Sequence, residues 1–433
     1  MKKVLIITYY WPPSGGIGVL RCLKFAKYLR TFGWEPIIFT ASNANYPSLD
    51  PTNNKDIPSN ITVIKLKIWE PYGIYKLITG KNKSANVNNV FYTKEEKPGL
   101  AHEISVWIRS NFFIPDARSC WINPSVKFLL KYIKSNPVDA ILSNGPPHTN
   151  SRIATIIKKK TRIPWLADFQ DPWSQIDYFS LLKLTSWSLK KHLKLEQEVF
   201  KYSDHITIVS PKWKHDLESI GAKNVTVIPW GFDQDDFKDL RHIKSSKFVI
   251  SHLGILGYDR RPETFFKAIL ELKEEESDFE QKISIVLPGQ VDFSVQEIIE
   301  KNGLNKYVNI LGNINRKDAL KLMKNSNILL LLLNQQENSK GRIPGKLFEY
   351  LACKRPVLCL GDIDGDSAKI ITDARAGYVS TYNDLISIKS MILKEFRRFK
   401  KGENQKDVIS DIDKFSVERT TEDLAKLLTS IIK

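Results

Sequence analysis

The patterning of this chain predicts an α/β protein made of two doubly wound domains facing across a cleft. Three observations carry that expectation. Short apolar runs alternate with stretches of helical periodicity along most of the sequence. The alternation occurs as two series, separated by the charged stretch from Gln234 to Lys247. At 433 residues the chain is also longer than one hydrophobic core usually supports.

The first series opens with a strand over Val4–Thr8 and a Gly/Pro-rich turn over Pro12–Gly18. Val19, Leu23, Ala26 and Leu29 then recur at helical spacing, Gly33 stops that helix, and Pro36–Ala41 supplies a second strand. Strand, glycine loop, helix and strand make a βαβ unit, which implies a parallel sheet with right-handed crossovers. Residues 43–125 mix Asn, Pro and Lys with aromatics and read as an elaborated lobe. Strands are expected again at Val138–Ser143, Trp165–Asp168 and His205–Val209, and Val225–Asp233 closes this half. In the second series strands are expected at Phe248–Gly254, Ile283–Leu287, Val308–Leu311, Ile328–Leu333 and Pro356–Leu360. Helices are expected at Glu263–Lys273, Val295–Lys301, Lys317–Lys324 and Lys346–Ala352. Ser416–Ile432 has helical periodicity with Ser416 as N-cap.

Composition bounds the function. A hydrophobic content of 42% and a charged content of 26% exclude a largely disordered chain. The longest apolar run, Ile328 to Leu333, suits a buried strand and is too short to cross a bilayer. Met1–Trp11 begins like a signal peptide, but its apolar stretch is short and Trp11-Pro12-Pro13 stands where a small-residue cleavage site would be. The reading is a first strand in a cytoplasmic protein. Cys22, Cys120, Cys353 and Cys359 show neither zinc spacing nor a CxxC, and no metal site is expected. The net charge of +17 divides into +12 for residues 1–240 and +5 for the rest, with clusters at Lys158–Arg162 and Lys190–Lys194. Such a field attracts nucleic acid, anionic membrane or phosphorylated ligands.

Several short motifs could carry chemistry. In Gly341–Ala352, Lys346 and Glu349 lie three positions apart at the start of a helix opened by Pro344-Gly345, so they share one face. A diphosphate would meet Lys346, the helix dipole and free backbone N–H groups there, while Glu349 could accept hydrogen bonds from ribose hydroxyls. The loop containing Gly15 and Gly16 is not GxGxxG, and the second strand ends without the acidic residue a dinucleotide site wants, which disfavours nicotinamide binding. Its glycines still allow a ligand close to the backbone, and Arg21 one turn later could face it. Ser143–Thr149, with His148, and Ala167–Trp173, with Asp168, Asp171 and Trp173, both follow strand ends, where ligands of open sheets bind. The two carboxylates could serve as base or hydroxyl ligand. Gly254 leaves a strand ahead of Arg260 and Arg261, which could grip phosphate oxygens, and Asn313 and Ile314 end a strand where a base could lie. Asp362, Asp364 and Asp366 alternate after a strand and could ligate a cation, though a polar turn is the favoured reading.

Taken in order, these fragments resemble the retaining family 4 (group 1) glycosyltransferases of GT-B fold. They are the Gly-Gly loop, Pro-Pro-His148, Ala-Asp-Phe-x-Asp-Pro-Trp, Val-Ile-Pro-x-Gly-Phe-Asp, Gly-x-Leu with Arg-x-Pro, and Pro-Gly-Lys-Leu-Phe-Glu-Tyr-Leu-Ala. The resemblance covers nearly the whole chain. It implies an acceptor domain over 1–232, a nucleotide-sugar domain over 233–412, and a terminal segment over 413–433 returning to the first. It assigns Arg260 (or Arg261) and Lys346 to the departing diphosphate, Glu349 to the ribose, and Gly15 and Gly16 to a loop over the phosphates. His148 belongs beside the donor sugar, and Asp171 joins His148, Arg260 and Lys346 as a catalytic candidate. Gly254, Gly345, Asn313 and Ile314 complete the donor side, and Arg21, Asp168 and Trp173 the acceptor side. Two departures stand out: the family's first Glu, eight residues before Glu349, is Gly341, and its junction Asn is Trp230. The expected activity is metal-independent hexosyl transfer with retention from a nucleotide diphosphate sugar to a hydroxyl acceptor, in cell-surface polysaccharide synthesis and with no cofactor. The acceptor would be a glycan or lipid-linked glycan, with the basic half held on the inner membrane face through Lys158–Lys160. Two competitors are an epimerase of nucleotide sugars with the same fold and a basic nucleic-acid-binding protein. The latter is disfavoured because no nucleic-acid-binding module is recognisable.

Overall fold

The computed structural model describes residues 1–70, 100–177, 179–403 and 411–432. These fall into two compact units. One takes the chain up to Trp230 together with the segment from Val417 onward, and the other runs from Gly231 to Ser416.

The first unit is built on a seven-stranded sheet of order β3-β2-β1-β4-β5-β6-β7. Its strands are β1 (Lys2–Ile7), β2 (Trp34–Ala41), β3 (Thr62–Leu66), β4 (Ala140–Gly145), β5 (Trp165–Phe169), β6 (His205–Ile208) and β7 (Val225–Val227). Every pairing is parallel. Parallel strands need crossovers and are covered on both faces, which is why Val4–Ile7 is a continuous apolar run with no exposed position. The Ile17–Tyr28 helix covers one face, and Gly33 ends the turn after it in the left-handed region, at φ 80°. Leu424, Ala425 and Leu428 of the Val417–Ile431 helix complete the same core, beside Val4, Leu23, Phe25 and Ile38.

The least legible stretch contains the edge strand β3, whose five residues are half-buried or exposed, and the helices Leu100–Phe112 and Ile122–Ser135. The expected strand over Val138–Ser143 is displaced to Ala140–Gly145. Its continuation past Ser143 is stitched to β5 as far as Gly145–Phe169.

The second unit has a six-stranded parallel sheet of order β10-β9-β8-β11-β12-β13. Its strands are β8 (Phe248–Ser251), β9 (Ile283–Pro288), β10 (Val308–Gly312), β11 (Ile328–Leu332), β12 (Val357–Leu360) and β13 (Gly377–Ser380). The core gathers Phe248, Phe265, Phe266, Leu287, Leu330 and Phe396. β8 ends at Ser251, three residues short of the expected Gly254, because its pairing with β11 stops there, although His252 and Gly254 still donate to the Val286 and Pro288 carbonyls of β9. Leu253 N–H donates to the Tyr350 hydroxyl at 3.2 Å, and Gly254 takes φ +100°. Among the described residues no helix is long and apolar enough to cross a membrane.

In both sheets the strand order reverses beside the first strand, between β1 and β4 and between β8 and β11. Loops diverge at such points and open a crevice at the carboxyl edge. In the first unit that edge is pinned by a buried ion pair. Asp168, at the end of β5, accepts from Arg21 Nη2 at 2.7 Å and Nε at 2.8 Å, from Asn144 of β4 at 2.8 Å and from Thr207 of β6 at 2.7 Å. Arg21 also donates to the carbonyls of Ile228 and Pro229, at 3.0 and 3.1 Å. A buried pair stabilises little against an apolar substitute, but removing one partner strands the other charge. Asp168→Ala is therefore expected to cost about 3–5 kcal/mol of stability, read as a lower urea midpoint, and Asp168→Asn less. An Asp168→Ala protein with an unchanged midpoint would show that the pair does not hold this edge.

Candidate active site

The second unit concentrates functional groups at the carboxyl end of β8. The Lys346–Cys353 helix opens with Leu347 N–H donating to Pro344 O at 2.9 Å and Phe348 N–H to Gly345 O at 3.2 Å. This tight opening is a correction to the expected row of free amides. Two of the first N–H groups are already used, so side-chain cations carry more of any anion binding.

Lys346 is one such cation. Its ammonium donates to the Leu253 carbonyl and lies 3.4 Å from His252 Nε2. His252 Nδ1 sits 2.9 Å from Leu330 O, so Nδ1 carries the hydrogen and Nε2 presents a lone pair to Lys346. Burial, then the Lys346 charge, holds His252 well below the usual histidine range, and it stays neutral. Burial, then the neighbouring charges of Arg260 and Arg342, brings Lys346 down to about 7. Three cations thus share one neighbourhood, and their mutual repulsion at Lys346 is what a bound polyanion would relieve.

The structure separates the two adjacent arginines. Arg260 is buried and held by Asp259 through two hydrogen bonds of 2.9 and 2.7 Å, whereas Arg261 is exposed and lies 3.4 Å from Glu263. Arg260 is the one near Lys346. Arg342 was not singled out from sequence. It follows Gly341, which is buried at the end of a 3₁₀ turn, so a cation stands next to the position where the family resemblance expects a carboxylate.

Glu349 is buried and bonded to Arg316, whose other terminal nitrogen reaches Asp236 at 2.9 Å. Burial opposes the Arg316 cation, but the carboxylates of Glu349 and Asp236 more than offset it and keep it protonated. Glu349 is thereby fixed in direction. Neither Arg316 nor Asp236 was found from sequence: their partners are 33 and 80 residues away and no local pattern links them.

The turns after β8, β9 and β10 are stitched by backbone. Gly254 N–H donates to Pro288 O at 2.9 Å, and Gly289 N–H to Gly312 O at 2.7 Å. A Cβ on Gly289 would lie 2.2 Å from Gly254 O, so only glycine permits this approach. Asn313 is exposed and Ile314 half-buried just beyond this seam. Gly345 is buried at the N-cap of the Lys346–Cys353 helix. The three alternating aspartates do not converge: Asp362 accepts from Ser339, Asp364 lies 3.9 Å from Lys340, and Asp366 begins a helix.

In the first unit, His148 N-caps the Thr149–Thr161 helix and stacks on Trp173, with centroids 4.4 Å apart and planes within 7°. Gly145 makes room for the ring, since a Cβ there would sit 3.1 Å from His148 Nδ1. That buried nitrogen has no hydrogen-bond partner among the described residues. Burial, then His192, pushes His148 down to about 3, and burial lowers His192 to about 4. Both rings are neutral at pH 7. Trp173 Nε1–H donates to His192 Nδ1 at 3.1 Å, and Ser174 N–H to Glu196 at 3.1 Å. His148, Trp173 and His192 therefore form one aromatic cluster, His148 stacked on Trp173 and His192 edge-on to it, with Asp171 half-buried in the turn beside it.

Arg21 and Asp168, expected on the acceptor side, are placed in the internal ion pair described above, and their polar atoms are engaged there. Trp230 is explained by the same pair, its ring lying 5.5 Å from the Arg21 guanidinium. Gly15 donates to Ser48 O at 2.9 Å, and Gly16 is exposed at φ +80°, in the loop after β1.

Two parallel doubly wound sheets with a cationic crevice at the carboxyl end of the second define a GT-B class protein. Comparison with known proteins agrees. The family model Glycosyltransferase Family 4 matches residues 83–236, and Glycosyl transferases group 1 matches residues 233–407. The chain belongs to this family of GT-B glycosyltransferases. Similar solved structures include sucrose-phosphate synthase from Thermosynechococcus elongatus, 11% identical, with 100% of this chain and 96% of that one covered at TM-score 0.61. WaaG, a glycosyltransferase involved in lipopolysaccharide biosynthesis, is 15% identical, with 98% and 99% covered at TM-score 0.60. A mutant of S. aureus TarM in complex with UDP is 12% identical, with 100% and 98% covered at TM-score 0.58. No curated protein matches the sequence significantly.

The depressed Lys346 gives a pH dependence. In the free protein its ammonium is lost above about pH 7, while a bound diphosphate favours the charged form. Affinity for a nucleoside diphosphate is expected to fall as pH rises from 7.5 to 9, by up to about tenfold per unit, with proton uptake on binding. Calorimetry in buffers of differing ionisation enthalpy reads that uptake. Lys346→Met should bind weakly with a flat profile, and a flat profile in the unmodified protein would contradict the assignment.

Proposed function

We propose that this glycosyltransferase moves a hexose-type residue from a nucleotide diphosphate sugar to a hydroxyl of a glycan acceptor, with retention at the anomeric carbon and without a metal ion. The observation that supports this reading is the gathering of Lys346, Arg260 and Arg342 around the start of one helix, with Glu349 one turn along it. Negative charge grows on the diphosphate as the glycosidic bond to it breaks. Cations already fixed at that place stabilise the transition state without reorganising. Lys346 is held by Leu253 O and Arg260 by Asp259, so little side-chain ordering is left to occur on binding. Glu349, aimed by Arg316, is suited to accept from the ribose hydroxyls.

Two fixed cations with a third beside them can neutralise a diphosphate by themselves, and this underlies the proposed independence from metal. The neutral His148, with an unpartnered buried nitrogen, is suited to a sugar hydroxyl rather than to a phosphate. Retention and a role in cell-surface polysaccharide synthesis come from the family resemblance.

Thermal-shift screening against UDP-, GDP-, TDP- and ADP-sugars tests the donor class. One nucleotide should give a clear upward shift that Lys346→Ala abolishes. With that donor and an acceptor glycan, Lys346→Ala or Arg260→Ala should lower turnover about 10²–10³-fold, and excess EDTA should leave the unmodified rate unchanged. Turnover of the nucleotide sugar to its epimer without acceptor, or loss of activity in EDTA, would refute the respective part of the proposal.

A further inference from the structure

We propose that the Leu100–Phe112 helix and the first half of the Ser186–Tyr202 helix form a docking face for an anionic lipid bilayer. Ile104, Trp107, Ile108 and Phe112 recur at intervals of three and four residues, so they form one helical stripe, and all are exposed, Phe112 at 64%. Trp187, 59% exposed, and Leu193, 42% exposed, extend the apolar surface on the second helix.

The two stripes are joined. Asn111 accepts from Thr185 N–H at 2.7 Å, and the Ser188 hydroxyl donates to Asn111 O at 3.1 Å. This seats the end of the first helix on the start of the second. On the second helix the side opposite Trp187 is buried, through Ser188, His192, Leu195 and Glu196. An apolar surface of two helices left in water on a folded domain marks an interaction site.

Charge decides the occupant. Between Asp177 and Glu196 the chain carries Lys183, Lys190, Lys191 and Lys194 and no carboxylate. Lys191 lies over the Trp187 ring at 4.7 Å, a tryptophan and a lysine side by side at the rim of an apolar stripe. That combination fits the boundary between headgroups and acyl chains, where indole rings settle and lysines meet anionic lipids. A second copy of this chain would bring the same lysines against one another, which disfavours self-association.

The proposal also relocates the membrane contact expected from sequence at Lys158–Lys160. Lys158 is paired with Asp204 at 2.6 Å, and Lys159 lies 3.6 Å from Glu198 and over the Tyr202 ring. Their charge is largely answered within the fold, whereas the lysines of the second helix flank exposed apolar surface. This inference does not depend on the sugar-transfer reading, because the docking face contains none of the donor residues.

Co-sedimentation of the full chain with phosphatidylcholine vesicles, with and without one quarter phosphatidylglycerol, tests it. Binding is expected to the anionic vesicles, weakened by salt. The double variant Trp107→Ser/Trp187→Ser and the triple variant Lys190→Glu/Lys191→Glu/Lys194→Glu should each lose at least about tenfold in partitioning. Lys158→Glu/Lys159→Glu/Lys160→Glu should stay within about twofold. Unchanged unfolding midpoints and nucleotide binding in the variants show that the fold and the donor site are intact. Absence of binding by the unmodified protein would overturn the proposal. So would loss confined to the Lys158–Lys160 variant, or a dimer in light scattering that Trp107→Ser/Trp187→Ser dissociates.

Discussion

Parallel strand pairing is the constraint from which the chemistry of this protein follows. When every strand in a sheet runs the same way, every strand releases its chain at the same edge, and residues far apart in sequence are delivered there together. His252 and Gly254 after β8, Gly289 after β9 and Gly312 at the end of β10 line one edge, and the chain leaving β11 leads to Lys346. No single motif makes the cationic crevice; the sheet does. The same holds in the first unit, where Asn144, Asp168 and Thr207, from three neighbouring strands, converge on one another.

The polar groups at these edges do two kinds of work. Asp168 and Arg21 satisfy each other and neighbouring strands, and so fix positions. Lys346, with a carbonyl and a neutral imidazole as its nearest partners, keeps an unbalanced charge in a crowded cationic place. The first arrangement spends its electrostatic energy within the fold, while the second leaves it available to a ligand. Glu349 lies between these extremes: its pairing with Arg316 fixes its direction and lowers the freedom it would lose on meeting a hydroxyl. This division is the reason a motif's presence does not by itself define a site. Two residues of the Ala-Asp-Phe-x-Asp-Pro-Trp turn, Asp168 and Trp173, are consumed by internal contacts.

Much of the fold was legible because buried parallel strands are unusually plain in sequence. Ile328–Leu333 and Val4–Thr8 read correctly as strands because both faces are covered and no polar alternation interrupts them. The glycine stop at Gly33 and the helix beginning at Lys346 were readable for local conformational reasons. The half-exposed edge strand β3 was not, since five residues of mixed burial carry neither period clearly. Nor was the end of β8, where the pairing with β11 stops and a side-chain hydroxyl 97 residues away takes the Leu253 amide.

In the crevice, the sequence by itself determined the residue types and their local spacing: Lys346 and Glu349 on one helical face, glycines where backbone must approach backbone, and a basic N-terminal half. Those are properties of neighbours along the chain, governed by helix period and by the conformations a residue permits. Only the tertiary structure decided that Arg260 rather than Arg261 lies by Lys346, that Arg342 joins them, and that Arg316 and Asp236 orient Glu349. It also decided that the basic clusters differ, one paired internally and the other flanking exposed tryptophans. Electrostatic coupling depends on distance through space and on burial, and neither is written in the order of residues.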